Sequence, residues 1–399
     1  MSKEILYISM IPIKNVEDRN IFTDLIRCFL REGHRITVIC PTERKEKEKT
    51  RVERTGNLTL LHVKIFNYQK TNVIEKGLSL LTIQFLFRKA MLKYLSFDRL
   101  DLVYYSTPPI TIAPLVKFIK NRYQCKTYLL LKDIFPQNAV DLGYFSKNSP
   151  TYRYFNWVEH NLYRISDHIG CMSPRNKEYI LQHNPQIDAD RIEINPNSIE
   201  PRQAFQRDRN WLNATYGIPT KPHLFVYGGN LGKPQAIDFL LDAIDSVKNR
   251  HDIFFFILGD GTERPLIEKR QKELPNLKWL PFVPKQEFQE ILTTADAGLI
   301  LLDPRFTIPN FPSRLLAYLE AKIPVFLAVD QSTDIGQIVE EGGFGIASES
   351  GNLAHFKIQL DLFLSKQENW THMGQLGHSF LQTHYHVTNT FNLIIQKIT

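Results

Sequence analysis

Cysteine is scarce in these 399 residues: Cys28, Cys40, Cys125 and Cys171 are the whole set. Their scattered spacing fits neither a disulfide framework nor a metal site, so buried free thiols in a reducing compartment are expected. Long apolar runs are missing too. No stretch of about 18 uncharged apolar residues occurs, which excludes a spanning helix. The opening Met1-Ser-Lys-Glu-Ile-Leu-Tyr-Ile-Ser9 is broken by charge too soon for a signal peptide, so a cytoplasmic protein is expected. Glycine is absent from the loop after the first strand, Ser9-Met-Ile-Pro-Ile-Lys-Asn-Val-Glu-Asp-Arg-Asn20. The dinucleotide fingerprint is therefore missing where it would have to stand, which argues against a nicotinamide or flavin enzyme. No repeat and no low-complexity tract is visible.

What is present reads as α/β. The length predicts two domains, and 43% hydrophobic residues suffice for two cores. Apolar runs at 5–8 and 35–40 flank a helical pattern over 22–32 that ends at Gly33. Strand, helix, glycine, strand is a βαβ unit, hence a parallel Rossmann-like sheet. The polar, breaker-rich Pro196-Asn-Ser-Ile-Glu-Pro201 marks the boundary, giving domains over 1–200 and 201–380. A helical pattern at the end, within 381–399, is expected to pack back on the first domain. The charged stretch 43–54 reads as a solvated loop.

The net charge of +7 is uneven. Residues 51–126 hold 13 basic and 4 acidic residues. The same segment carries a long apolar and aromatic helix pattern over 73–95, with Lys76, Arg88, Lys89 and Lys93 interspersed. Such a helix suits a bilayer interface, with basic groups reaching headgroups. A core helix of the first domain is the plain alternative. Nucleic-acid binding is not expected, because no recognisable nucleic-acid motif accompanies the charge.

Two stretches of the second half suit a phosphate. In Gly228-Gly-Asn-Leu-Gly-Lys-Pro-Gln235, three glycines and Lys233 lie between a strand and a helix. Backbone there can approach a phosphate, with an ammonium against it. The Gly-Lys-[Ser/Thr] ending of a Walker loop is absent. In Asn310-Phe-Pro-Ser-Arg-Leu-Leu-Ala-Tyr-Leu-Glu-Ala-Lys-Ile-Pro-Val-Phe326, Pro312 and Ser313 start a short helix, Ser313 as its N-cap. Arg314 adds a fixed charge at the dipole's positive end. In the first half, Asp133 follows a strand directly, where ligands of open sheets bind. It is a candidate polar contact or base, or a loop-capping aspartate. Glu159 and Arg164 either pair or face the cleft.

Together these stretches resemble the retaining family 4 glycosyltransferases of GT-B architecture, two Rossmann-like domains facing a cleft. The bacterial capsule and O-antigen members are nearest. The glycine loop carries the resemblance, with Leu258-Gly-Asp-Gly-Thr-Glu-Arg264, Ala295-Asp-Ala-Gly-Leu299, the Pro312–Val325 stretch, Asp133-Ile-Phe-Pro-Gln-Asn138 and Leu162-Tyr-Arg-Ile-Ser-Asp-His-Ile169. It implies a nucleotide-sugar donor, UDP by family habit, in the second domain. It implies a polyprenyl-diphosphate-linked or saccharide acceptor on the first.

On that resemblance, Gly228, Gly229, Asn230, Lys233 and Gly259 contact the diphosphate side. Ser313, Arg314 and Leu315 offer helix-start amides to the distal phosphate. Phe282 and Val283 lie beside the base. Lys233 and Arg314 assist departure of the diphosphate, and Asp133 orients hydroxyl groups. No metal or other cofactor is implied, and no obvious Asp-X-Asp metal site accompanies the loops. The positions matching the family's usual Glu-X7-Glu pair hold Pro309 and Ala317, so Glu320, one turn on, becomes the candidate ribose contact. A peripheral place at the inner membrane face follows. A nucleotide-sugar 2-epimerase and a non-catalytic scaffold of a capsule complex are the alternatives.

Overall fold

A computed structural model describes residues 2–68 and 71–398. The chain forms two compact units, Met1–Glu200 with Val387–Thr399, and Pro201–His386. In the first unit, β1 (Glu4–Ile8), β2 (Arg35–Glu43), β3 (Arg51–Thr55), β4 (Leu58–Ile65), β5 (Leu102–Ser106), β6 (Lys126–Leu131), β7 (His168–Cys171) and β8 (Ile192–Ile194) make one sheet. Their order is β3-β4-β2-β1-β5-β6-β7-β8. All pairings are parallel except β3 with β4. From β1 the chain builds outward to β2 on one side and β5 on the other. The carboxyl ends of β1 and β5 therefore flank the switch point where such sheets bind ligands.

The helix Ile21–Arg31 is capped by Asn20, whose side chain accepts from the amides of Phe22 and Thr23. Its apolar side packs on the sheet, where Tyr7 and Tyr104 stack at 4.4 Å. The helix Val387–Ile395 covers the same face: Phe391 meets Phe29 edge-on at 5.0 Å. A hydrogen bond between the Ser198 and Thr390 hydroxyls, 2.7 Å, ties this return segment down. The expected loop over 43–54 is in part strand. β2 runs on to Glu43, and β3 is a short edge strand whose charged side chains face solvent. Arg51 pairs with Glu48 and with Glu53. Charges suit an exposed edge because they discourage pairing with another chain, and they mask its alternation. The helix Val73–Tyr94 packs against β4 through Ile83, Phe87 and Met91, and leaves Leu78, Leu81, Phe85 and Leu92 exposed. No helix among the described residues is long and apolar enough to cross a membrane.

In the second unit, β9 (His223–Gly228), β10 (Ile253–Leu258), β11 (Leu277–Leu280), β12 (Ala297–Leu301), β13 (Val325–Val329) and β14 (Gly345–Glu349) form an all-parallel sheet. Their order is β11-β10-β9-β12-β13-β14, so this switch point lies between β9 and β12. The strands are apolar throughout because helices cover both faces. Phe225, Phe255, Phe326, Phe363 and Trp370 fill one side of the core. Aromatic pairs of this kind contribute about 0.5–1.5 kcal/mol each beyond their area.

Candidate active site

At the second switch point two loops are clamped together. The Gly229 amide donates to Leu258 O at 2.9 Å, and the Leu231 amide to Asp260 O at 3.1 Å. The Glu263 amide returns to Leu231 O at 2.9 Å. Gly229 has φ +134°, and a Cβ there would lie 3.3 Å from Arg314 Nη2. Gly259 has φ +155°, and its Cβ would lie 1.8 Å from Gly229 O. Only glycine fits either place, because backbone and guanidinium share the space. Asn230 Nδ2 and the Gly232 amide both donate to Gln235 Oε1, at 2.8 and 3.2 Å. That fixes the turn carrying the exposed Lys233.

Arg314 opens the helix Arg314–Glu320. Its guanidinium lies 4.2 Å over the ring of the buried Tyr227, an arrangement with cation–π character. Nη1 is buried and has no hydrogen-bond partner among the described residues. Arg314 makes no ion pair among the described residues. Tyr318, buried beneath, donates to Leu299 O at 3.0 Å and accepts from the Gly228 amide at 3.3 Å. A half-buried guanidinium with an unused donor, set against Gly229, is a ready receptor for a phosphate oxygen.

A second constellation lies at the carboxyl ends of β5 and β6. Thr107 Oγ1 accepts from the amides of Lys132 and Asp133, at 3.0 and 3.2 Å. Both Asp133 carboxylate oxygens accept from Asn138 Nδ2 at 2.8 Å. Burial raises Asp133 to about 6. Burial, with a smaller contribution from the Asp133 charge, raises Glu159 to about 8, although Tyr163 donates to it at 2.7 Å. Arg164 does not pair with Glu159; it donates to Asn161 Oδ1. Lys132 Nζ donates to Asn197 Oδ1 and lies 5.6 Å from the Phe22 ring centre, and burial lowers it to about 7.

The Glycosyltransferase Family 4 model matches residues 20–203, and the Glycosyl transferases group 1 model matches residues 208–379. The chain belongs to the family 4 glycosyltransferases. Its two parallel-sheet units have the GT-B fold. This glycosyltransferase is 25% identical over 283 residues to a probable glycosyltransferase, WbjE, of Pseudomonas aeruginosa, covering 69% of this chain and 68% of WbjE. It is 23% identical over 135 residues to a putative colanic acid biosynthesis glycosyl transferase, WcaI, of Escherichia coli K12, 33% of each chain. Among solved structures, an E. coli trehalose-6-phosphate structure bound with UDP-2-fluoro glucose aligns at TM-score 0.77 and 12% identity, covering 99% of both chains.

The sequence candidates of this glycosyltransferase are not all gathered in one place. Gly228, Gly229, Gly259 and Arg314 converge, with Asn230 and Lys233 on the same loop. Phe282, 78% exposed, and Val283 follow β11. Ser313 does not cap: its backbone is already helical and its side chain accepts no amide, so Asn310 to Ser313 lead in without a cap. The Leu315 amide bonds to Pro312 O at 3.3 Å, whereas those of Ser313 and Arg314 bond to nothing among the described residues. Glu320 stands at the far end of the helix, about 9 Å along the axis from Arg314. It accepts from the Arg202 amide at 2.8 Å and from Gln289 Nε2 at 3.1 Å. Three residues went unseen. Tyr227, the ring under Arg314, was marked only by its place before the glycine pair. Tyr318 was lost among helix apolar positions. Lys132 was hidden at the end of the apolar run Tyr128-Leu-Leu-Leu131.

Proposed function

We propose that this glycosyltransferase moves a sugar from a UDP-sugar, with retention, onto a polyprenyl-diphosphate-linked saccharide or a growing polysaccharide of the capsule or O-antigen kind. The second unit binds the donor and the first engages the acceptor. The observation that carries the reading is the buried Nη1 of Arg314, without a hydrogen-bond partner among the described residues, on a guanidinium held over Tyr227 beside Gly229. The UDP-sugar in the E. coli structural neighbour and the colanic acid biosynthesis role of WcaI support the choice of donor and product.

In this reading the anomeric carbon parts from the diphosphate oxygen and bonds to the acceptor oxygen on the same face. The acceptor proton passes to the departing phosphate. Arg314 and Lys233 stabilise the charge that develops there, and no metal is invoked. Asp133 orients a hydroxyl of the sugar or acceptor. The helix Val73–Tyr94 rests on the inner membrane face through Leu78, Leu81, Phe85 and Leu92, with Lys89 and Lys93 toward anionic headgroups.

Transfer of radiolabelled sugar from UDP-sugars to a lipid-linked acceptor tests the proposal. Arg314→Ala is expected to lower kcat/KM by about 10²–10³-fold, the usual loss of one preorganised donor to a developing charge. Lys233→Ala is expected to lower it less, since Lys233 is exposed. Undiminished transfer by Arg314→Ala refutes the assignment. One observation favours the non-catalytic scaffold: Pro309 and Ala317 occupy the family's acidic positions while Glu320 is engaged elsewhere. Donor binding without turnover across an acceptor panel supports that reading instead.

A further inference from the structure

Lys132 is a half-buried cation of the first unit without an anion among the described residues. Its ammonium donates to Asn197 Oδ1 and lies over Phe22, and it has no ion pair among the described residues. Three acids of the same unit are engaged elsewhere. Asp133 turns to Asn138, Asp24 pairs with Arg27 and accepts from the Glu200 amide, and Glu193 pairs with Lys397 and accepts from Tyr128. Phe22 belongs to the first turn of the helix Ile21–Arg31, whose positive dipole end adds to the same field. The side chain starts from the end of β6 and reaches Phe22, at the start of the helix that follows β1. It therefore spans the end of β5, over the first unit's switch point. A half-buried charge that lacks a counter-charge carries a desolvation penalty that stability alone does not explain.

We infer that Lys132 is a receptor for a phosphoryl group at the switch point of the first unit, with Asn197 holding the ammonium in place. This deepens the transferase reading and rests on it for the source of that group, the diphosphate of a lipid-linked acceptor. Burial of the amine explains why the site is held ready by a hydrogen bond to a neutral amide rather than by a carboxylate. A carboxylate there would occupy the place of the ligand.

The test uses the full chain and two probes, UDP and inorganic pyrophosphate, with binding measured by calorimetry. Wild type is expected to bind pyrophosphate in the presence of saturating UDP, and Lys132→Met to weaken this at least tenfold while leaving UDP binding within twofold. Weakening of UDP binding itself by Lys132→Met overturns the assignment to an acceptor diphosphate. Lys132→Arg, which keeps the charge, is expected to retain pyrophosphate binding better than Lys132→Met. In the ligand-free chain, Lys132→Met is expected to melt at the same temperature as wild type or higher, because an uncompensated charge is removed. Unchanged binding of both probes overturns the inference, and so does a fall in melting temperature with no change in binding, which marks a structural lysine. Lys132→Gln is the second variant if the methionine chain does not fold. Failure of Arg314→Ala to affect UDP binding counts against the donor reading and leaves the pyrophosphate result to be judged separately.

Discussion

Charge placement decides the chemistry at the scale of single residues. Arg314 is held by an aromatic face rather than by an acid, so its charge stays available to a ligand. Asp133, Glu159 and Lys132 show the opposite effect, in which burial disfavours the charged form. Asp133 at about 6 and Glu159 at about 8 keep their protons in the folded chain where the unfolded chain has lost them. The stability they contribute is therefore complete below about pH 4, and it is lost as pH rises through these two values. Lys132, lowered to about 7, acts in the other direction, its penalty being full below 7 and relieved above it. From pH 5 to 7 the carboxyl groups dominate. The melting temperature of the wild-type chain is expected to fall across pH 5–8, and that of Glu159→Gln to fall less. The difference follows from roughly 1.4 kcal/mol per unit of pKa shift. Parallel melting curves for the two chains across that range would refute this account.

Elements add what no single residue supplies. The helix Val73–Tyr94 has a buried side, Ile83, Phe87 and Met91, and an exposed apolar stripe, Leu78, Leu81, Phe85 and Leu92. Residues on the stripe do nothing for the sheet beneath, so a substitution there separates the proposed membrane contact from folding. Phe85→Asp is expected to reduce sedimentation with phosphatidylglycerol vesicles at least tenfold and to leave the circular dichroism spectrum unchanged. Equal sedimentation of variant and wild type would remove this helix as the contact. The short helix Arg314–Glu320 makes a related point. Its two ends serve different neighbours, Gly229 at the start and the Arg202 amide at the end.

At the scale of the whole molecule, the chain leaves its first unit after Glu200 and returns to it at Val387. The final helix is part of the first unit's core, not an appendage. Phe391 lies against Phe29, and the Val387 amide donates to Ile199 O at 2.9 Å. Phe391→Ala is expected to cost about 3–5 kcal/mol, the usual range for truncating a buried phenylalanine. Amide exchange in the helix Ile21–Arg31 should accelerate, while exchange in β9 and β10 stays as in wild type. Accelerated exchange in β9 and β10 alone would contradict this division of the chain.

The alternation of strand and helix, the two parallel sheets and the glycine loop at Gly228–Gly229 were legible in the sequence alone. Apolar period and glycine placement are local properties, and local sterics dictate them. So was the approach of Arg314 to a phosphate-type loop, since a strand's carboxyl end has one place in a parallel sheet. Tertiary structure alone decided the rest. It set Tyr227 under Arg314, engaged Glu320 elsewhere, made 51–55 an edge strand and left Ser313 uncapped. It also set Lys132 and Glu159 apart from any counter-charge among the described residues. Those outcomes depend on which side chains, distant along the chain, share one small volume and exclude water from it, and no residue's own neighbours in sequence carry that information.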